Sequence, residues 1–382
     1  MDAPSGEGII HVPISHPSDC SAVAGRPDGM TVFWRGDRAI GHLFTDQGKV
    51  TRSAIDHIDA AFLAGIDAEA RQAVVPHLTA AVVICTRDRP DELARCLASL
   101  PRQSYRPHEI IVVDNASRDG RTREVALAAG VTYLREDRPG LDIARNCGAL
   151  HVTSEIVAYT DDDVLLHPRW LERLVAAFDD PAIAAVTGLV LPAELATEAQ
   201  RHFEIHWGFG QGYLRRDFES ARFVNRGSSV FPAWDIGAGA SMAFRRTVFD
   251  EAGLFDERLD VGQAGCSGDS EYWYRLLAHG HCCRYAPDAI AFHYHRLTLD
   301  GLAGQIYSYM RGHTAALMVQ YERTGIAANR ARAFRWMPAW YARRLALKLL
   351  GRRRAEDRFL TREIAGYLAG LRFYHRHRWK PT

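Results

Sequence analysis

No stretch of this 382-residue sequence reaches the roughly 18 uninterrupted apolar residues that a membrane span needs. Residues 1–10 have no basic opening and no long apolar run, which argues against a secretory signal. Cysteine is sparse and odd in number: seven residues, no CxxC pair, and an adjacent Cys282 and Cys283 that suit neither a zinc site nor a disulfide framework. That usage fits a reducing cytoplasm. Internal repeats and low-complexity tracts are missing too, which excludes solenoid architectures and disorder by composition. Apolar residues make up 47% of the chain, enough for a sizeable core, and the length suits one large domain with additions or two to three units.

Net charge is only +1, but it is unevenly distributed. Residues 297–382 hold 17 Lys and Arg against 5 Asp and Glu, which leaves 30 against 41 in the preceding 296. A basic tail on an acidic body is expected to meet something anionic, or to dock on that body. Within the tail, Trp336, Trp340, Tyr341, Leu345, Leu349 and Leu350 are interspersed with Arg343, Arg344, Lys348 and Arg352–Arg354. Basic helices with tryptophan suit a membrane interface. The expectation is a peripheral protein on an anionic, cytoplasmic membrane face, with no nucleic-acid partner.

Three regions are expected. Residues 1–75 read as a small β-rich extension, with a hairpin about Gly36-Asp37. Residues 76–296 read as an α/β unit with a mostly parallel sheet, and residues 297–382 as several helices. In the middle region the spacing predicts strands at 80–85, 109–113, 132–135, 156–160 and 289–295. It predicts helices at 91–103, 121–129, 141–151, 168–178, 241–252 and 270–279. The stretch 188–240 lacks periodicity and reads as binding-site lining, with Trp207 and Trp234, and later Trp273 and Tyr274, as candidate stacking surfaces.

Ligands on open α/β sheets sit beyond the carboxyl ends of the strands. Here three predicted strands end in polar clusters: Thr86-Arg87-Asp88-Arg89-Pro90, Asp114-Asn115-Ala116-Ser117 and Asp161-Asp162-Asp163. Neighbouring carboxylates repel one another and destabilise a fold unless a cation compensates. Alone, an acidic triplet resembles a solvated turn. At the end of an apolar strand, with two companions, it points to Mg2+ or Mn2+ beside a phosphorylated ligand.

Ala81-Val-Val-Ile-Cys-Thr-Arg-Asp-Arg-Pro, Ile111-Val-Val-Asp-Asn-Ala-Ser, Arg138-Pro-Gly-Leu-Asp-Ile-Ala-Arg-Asn-Cys-Gly and Ala158-Tyr-Thr-Asp-Asp-Asp-Val follow one another in order. Gly237-Ala-Gly-Ala-Ser-Met-Ala-Phe-Arg-Arg and Phe249-Asp-Glu-Ala-Gly-Leu-Phe-Asp-Glu come next. From about residue 79 to 296 this series resembles the family-two, inverting nucleotide-sugar glycosyltransferases of GT-A fold. The resemblance implies nucleotide contacts at Thr86, Arg87, Asp88 and Asp114, with Arg145 and Asn146 supporting the pocket. It implies that Asp161 and Asp163 bound the metal motif, one near the ribose and one on the metal, while Asp162 serves in either role. A late histidine, His293 or equally His295, completes the metal shell. The catalytic base matches Asp269, with Glu271 as the fallback. The glutamate that the family places just before this aspartate is replaced by Gly268.

The expected reaction moves a sugar from a nucleotide-diphosphate donor to a hydroxyl of a saccharide or lipid-linked acceptor, in cell-surface polysaccharide or glycolipid assembly. A uridine donor is favoured through Asp114. Two other classes stand beside this reading. A nucleotidyltransferase would carry a glycine-rich loop after the first strand, which Thr86–Pro90 lacks. A silent nucleotide-binding scaffold has only the Gly268 departure in its favour.

Overall fold

The computed structural model describes residues 3–21, 28–46, 48–72, 75–224, 230–352 and 354–378. Arg353 and Trp379, assigned above to the basic helical tail, lie outside them. The first unit is a sheet of β1 (Ile9–Pro13), β2 (Gly29–Arg35), β3 (Arg38–Asp46) and β4 (Lys49–Ala54), in that order. β1 runs parallel to β2, and the other pairs are antiparallel. The expected hairpin is β2–β3, closed at Gly36, whose φ of +60° glycine adopts without a Cβ penalty. Helix α1 (Ala60–Gln72) covers one face through Leu63 and Ile66.

The second sheet carries the site. Its strands are β5 (Ala80–Thr86), β6 (Glu109–Asn115), β7 (Thr132–Glu136), β8 (Ile156–Asp161), β9 (Val164–Leu166), β10 (Ile183–Pro192), β11 (Arg216–Phe218), β12 (Ser241–Arg245) and β13 (Cys282–His293). The order is β11-β13-β10-β12-β8-β5-β6-β7, with β9 paired to β13. The run β8-β5-β6-β7 is wholly parallel. Strand β12 is antiparallel to both of its neighbours. Of the parallel strands, β5, β6 and β8 are largely buried on both faces, so they read as apolar runs, while β7, at the edge, is half exposed. In β5, Ala80, Val82 and Ile84 face α2 (Pro90–Ser99) and the later α5 (Trp170–Ala176), while Ala81, Val83 and Cys85 face α4 (Leu141–His151). Helix α3 (Arg121–Ala128) bridges β6 and β7. Fully burying each such valine or isoleucine stabilises the fold by roughly 1.5–3 kcal/mol.

Beyond β10 come α6 (Glu198–Trp207) and α7 (Ser220–Val224), and then, after β12, α8 (Val248–Glu251) and α9 (Gly268–Ala278). The tail is α10 (Leu299–Thr324), α11 (Ala327–Ala331), a π-helical turn (Arg332–Trp336), α12 (Met337–Leu349) and α13 (Leu360–His377). α10 and α13 pack on each other through Met310, Leu317, Leu360 and Tyr367. Among the described residues no helix is long and apolar enough to cross a membrane.

Three expectations needed correction. Ser241–Arg245 is a strand, not the start of a helix: five residues are too few to separate the two periods, and burial on both faces removes any alternation. The stretch 188–240 is not loop throughout. It includes the end of the fully buried β10, and α6 is opened by a Thr197/Gln200 capping box. β13 begins seven residues before the predicted strand, because Pro287 to Ala289 bulge out where Ala286 pairs Gly188 and Ile290 pairs Leu189.

That bulge depends on Gly188, where a Cβ would fall 2.2 Å from the Ala289 carbonyl oxygen and 2.4 Å from Ser241 Oγ. Backbone cannot yield as a side-chain tip can. Gly188→Ala is therefore expected to cost roughly 1–3 kcal/mol, read as a lowered midpoint in chemical denaturation. An unchanged midpoint would show that the β10–β13 register tolerates the methyl group.

Candidate active site

The ends of β5, β6 and β8 meet at one edge of the sheet, as their parallel pairing requires. Among the described residues, four other than glycine have positive φ: Asp88 (55°), Ala116 (58°), Asp260 (63°) and Ser267 (74°). All four lie on the loops around this edge. Such strain persists where surrounding contacts over-determine the backbone, commonly at functional sites. Asp88 ties two of these loops together: its N–H donates to Ser117 Oγ (2.9 Å), and its carboxylate accepts from Arg118 N (2.8 Å) and Nε (3.0 Å). Arg87 stands exposed at the rim.

The acidic triplet is compensated from several directions. Thr86 Oγ1 donates to Asp162 Oδ2 (2.7 Å), and Arg89 Nη1 bridges Asp162 Oδ1 (2.9 Å) and Asp163 Oδ2 (2.8 Å). Burial and then Asp163 raise the Asp162 carboxyl to about 7, against Arg89 and Thr86. Burial pushes Asp163 up as well, but His293 and Arg89 outweigh it and hold that carboxyl below its usual range. His293 Nε2 lies 3.2 Å from Asp163 Oδ1. The cause is local pairing: β9 runs antiparallel to the end of β13 with His293 opposite Val164, and Tyr294 N donates to the Asp163 carbonyl (3.0 Å). Asp161, Asp163 and His293 each offer a ligand atom within 4.8 Å of the others. The other candidate, His295, turns away toward Glu204. A cleft of about 520 Å³ opens beside Asp163, walled by Arg89, Arg95, Glu194, Tyr294 and Arg296.

A second acidic cluster surrounds a buried arginine. Arg145 Nη1 donates to Asp142 Oδ1 (2.9 Å) and Asp260 Oδ2 (2.7 Å). Nearby, Asp269 accepts from Gly239 N (2.9 Å) and Ser270 N (2.6 Å) in the first turn of α9. Burial and then Asp260 raise the Asp269 carboxyl to about 6, against Arg145 and these two N–H groups. The Gly268 departure has a steric explanation. A Cβ at residue 268 would fall 1.8 Å from Asp142 Oδ2, so the Asp142 carboxylate fills the space a side chain there would need. Asp142, Asp260 and Arg89 are the members of the two clusters that the sequence did not single out. Asp142 and Arg89 stand inside motifs given above, which do not show where they point, and Asp260 lies outside them.

Other expected site residues serve the scaffold. Asp114 is fully buried and accepts from Tyr133 Oη (2.8 Å), Arg135 Nη1 (2.9 Å) and Ser117 N (3.0 Å). Asn146 clasps the backbone of Phe255 through both of its amide atoms. Trp273 and Tyr274 are core residues, Trp207 packs against Tyr309, and the Trp234 face is covered by Arg332 at 4.6 Å. Glu271 is corrected as a base. Two residues along α9 from Asp269 it points into the core, where it is fully buried and held by Arg275 (Oε2–Nη2, 2.8 Å).

Stability separates these two acids. Glu271→Gln strands a buried guanidinium and is expected to cost roughly 3–5 kcal/mol in denaturant unfolding. Asp269→Asn relieves like-charge crowding but leaves one of the Gly239 and Ser270 N–H groups without its acceptor, so it is expected to cost clearly less than Glu271→Gln. The reverse ranking would exchange the assignments.

Residues 81–253 match a family model described as glycosyl transferase family 2. The glycosyltransferase AglE of Haloferax volcanii is 25% identical over 56% of this chain and 66% of its own length. The O-antigen biosynthesis protein RfbC of Myxococcus xanthus is 27% identical over 73% of this chain and 22% of its own length. The chain thus spans less than two thirds of either relative. Among solved structures, the mannosyltransferase PcManGT from Pyrobaculum calidifontis, in complex with GDP-Man and Mn2+, is similar with a TM-score of 0.54 at 19% identity, over 78% of this chain and 88% of that one. This is a likeness of fold. The three strand-end clusters therefore lie within the residues that match the glycosyl transferase family 2 model, on a sheet of GT-A-like fold.

Proposed function

We propose that the protein transfers a glycosyl group from a nucleoside-diphosphate sugar to an acceptor hydroxyl with inversion, and that Asp269 is the general base. The observation carrying this reading is the pair of acidic clusters at one sheet edge, one with a cation donor set and the other with a carboxyl raised to about 6. Two carboxylates and an imidazole suit Mn2+ or Mg2+, and the GDP-Man and Mn2+ of the similar structure support a diphosphate beside such an ion. A bound cation would neutralise the charge that gathers on the departing diphosphate. Asp161, Asp163 and His293 would hold it. Thr86 and Arg89 keep Asp162 and Asp163 in place. Asp269 takes the proton of the acceptor hydroxyl as its oxygen attacks the anomeric carbon and the bond to the diphosphate breaks. Uridine remains the donor base suggested by the resemblance, but the engagement of Asp114 leaves guanosine an equal candidate. Since Asp142 occupies the space at Gly268, the missing glutamate does not argue for a silent scaffold.

The acceptor is proposed to be lipid-linked, at a cytoplasmic membrane face, in surface-glycan assembly. Phe334 (55%), Trp336 (60%), Trp340 (44%), Leu349 (88%) and Leu350 (76%) are exposed in the segment that includes the exposed Arg335 and Arg343. Tyr341 and Arg344, grouped with them above, are instead buried, and Arg344 pairs with Asp357. Part of the basic surplus is spent on the body: Arg323 meets Asp256 and Arg358 meets Glu198. The RfbC relative, an O-antigen biosynthesis protein, supports the surface-glycan reading.

Three measurements test these readings. Release of UDP, GDP or dTDP from their sugars with Mn2+ or Mg2+ is expected for one base, and is expected to be lost in Asp163→Ala and Asp269→Ala. Pyrophosphate release from a nucleoside triphosphate would favour a nucleotidyltransferase. kcat/KM is expected to fall about tenfold per pH unit below about pH 6, since only ionised Asp269 accepts a proton, and Asp269→Asn to lose about 10²–10⁴-fold. An acid limb that persists in Asp269→Asn would move the base elsewhere. Binding to vesicles of anionic phospholipid is expected to exceed binding to neutral vesicles and to drop in the Trp336→Ser/Trp340→Ser double variant. Equal binding in all cases would remove the membrane.

A further inference from the structure

Behind His293, away from the carboxylates, runs a chain of buried hydrogen bonds that the transfer reaction does not use. His293 Nδ1 lies 3.0 Å from His295 Nδ1, and His295 Nε2 lies 3.0 Å from Glu204 Oε2. All three residues are buried, with 8%, 5% and 6% of their surface exposed. Aromatic rings close off the path: Phe203 stands 4.6 Å from the His295 ring and Phe209 5.1 Å from the His293 ring. Gly208 leaves room for the acid, since a Cβ there would come within 2.9 Å of Glu204 Oε1.

The directions of these bonds follow from the end of the chain. A carboxylate only accepts, so His295 Nε2 carries the hydrogen toward Glu204. In the neutral ring His295 Nδ1 is then a lone pair. Two lone pairs do not bond, so His293 Nδ1 carries the second hydrogen. His293 Nε2 is left to face Asp163 Oδ1 at 3.2 Å. Whether Nε2 holds a proton for Asp163 or a lone pair for a cation, the donor at Nδ1 is unchanged.

We infer that Glu204 and His295 are positioning residues that fix the ring orientation and tautomer of His293, so that its Nε2 is the cation ligand beside Asp161 and Asp163. This rests on the cation site proposed above. Partners that orient a ligating histidine typically contribute 10–100-fold in metal affinity. It also explains why one of two histidines spaced by a single residue serves the cation and the other does not. Residues i and i+2 lie on the same side of an extended chain, so the two rings meet at Nδ1, but β13 ends at His293 and the far nitrogen of His295 reaches α6, where it meets an acid.

Mn2+ affinity, read from the free-ion electron paramagnetic resonance signal with Mn2+ alone and with UDP or GDP added, tests the inference without turnover. His293→Ala is expected to lose binding. Glu204→Gln and His295→Phe, folded by circular dichroism, are expected to bind Mn2+ about 10–100-fold more weakly. If His293→Ala binds as the parent does, the cation site itself is misassigned. If His293→Ala loses Mn2+ while both other variants stay within about twofold of the parent, the positioning role is overturned. Nitrogen-15 spectra of the unsubstituted protein give a decision that needs no variant to fold. His295 is expected as the neutral Nε2–H tautomer, and the Nδ1–H tautomer would overturn the inference.

Discussion

Three consecutive carboxylates at the end of one buried strand are the constraint around which this fold is arranged. In water their repulsion would be slight, but at a half-buried sheet edge each unbalanced charge costs several kcal/mol. The compensation comes from elements far apart in the chain. Thr86 ends β5 and Arg89 follows it, and His293 arrives at the end of β13 because the three-residue β9 leaves the triplet and pairs back against it. The same compensation prepares the site for a cation. Asp163 is held ionised between Arg89 and His293, while burial and then Asp163 push both Asp161 and Asp162 up. One strand end therefore holds carboxylates with different tasks, separated by their partners and not by their chemistry.

The second cluster follows the same logic with a different balance. Arg145 directly pairs two carboxylates, and Asp269 lies near enough to feel both the arginine and Asp260. Burial raises the Asp269 carboxyl first, and because a single guanidinium does not neutralise three acids, Asp260 raises it further. That is the property a base needs if it is to take a proton at one step and shed it near neutral pH. Asp142 is more than a bystander here. Burial and Asp260 push its own carboxyl well up, and it stands in the space left by Gly268, so a side chain expected from α9 is replaced in space by a carboxylate from α4.

What the sequence disclosed and what it hid divide along physical lines. β5, β6 and β8 were legible because buried parallel strands are unbroken apolar runs, and their polar ends were legible because nothing in a core explains them. β12 was misread because five residues hold too little of either period. The first half of β13 was lost behind Pro287 and Asp288, since a bulge looks like a strand's end. Glu271 was the avoidable error: two residues along a helix from Asp269 turns the side chain by about 200°, so both cannot face one site. The Asp142–Gly268 exchange and the Glu204–His295 contact were beyond reach, because each is a meeting in space of residues on separate elements. Asp114 shows the converse case. Its motif was recognised, yet the structure gives its carboxylate to Tyr133, Arg135 and Ser117.

The N-terminal sheet belongs to this argument because of where it docks. Met30, Val32 and Trp34 share one apolar cluster with Leu189, Leu191 and Phe292, and Phe292 immediately precedes His293 on β13. Asp37, at the tip of the β2–β3 hairpin, pairs with Arg169 and Arg173 of the segment that follows β9. Arg52, on β4, donates to the carbonyls of Glu204 (3.2 Å) and Ile205 (2.7 Å), satisfying acceptors that the last turn of α6 leaves open. β13 delivers His293, β9 ties it to Asp163, and α6 delivers Glu204. The sheet thus braces three elements whose relative placement fixes the imidazole beside the carboxylates. An extension that merely capped an exposed edge would need only the apolar contact. The added ion pairs and carbonyl contacts fall on the segments that carry or flank the cation donors, which makes the N-terminal sheet part of how this chain holds its site in register.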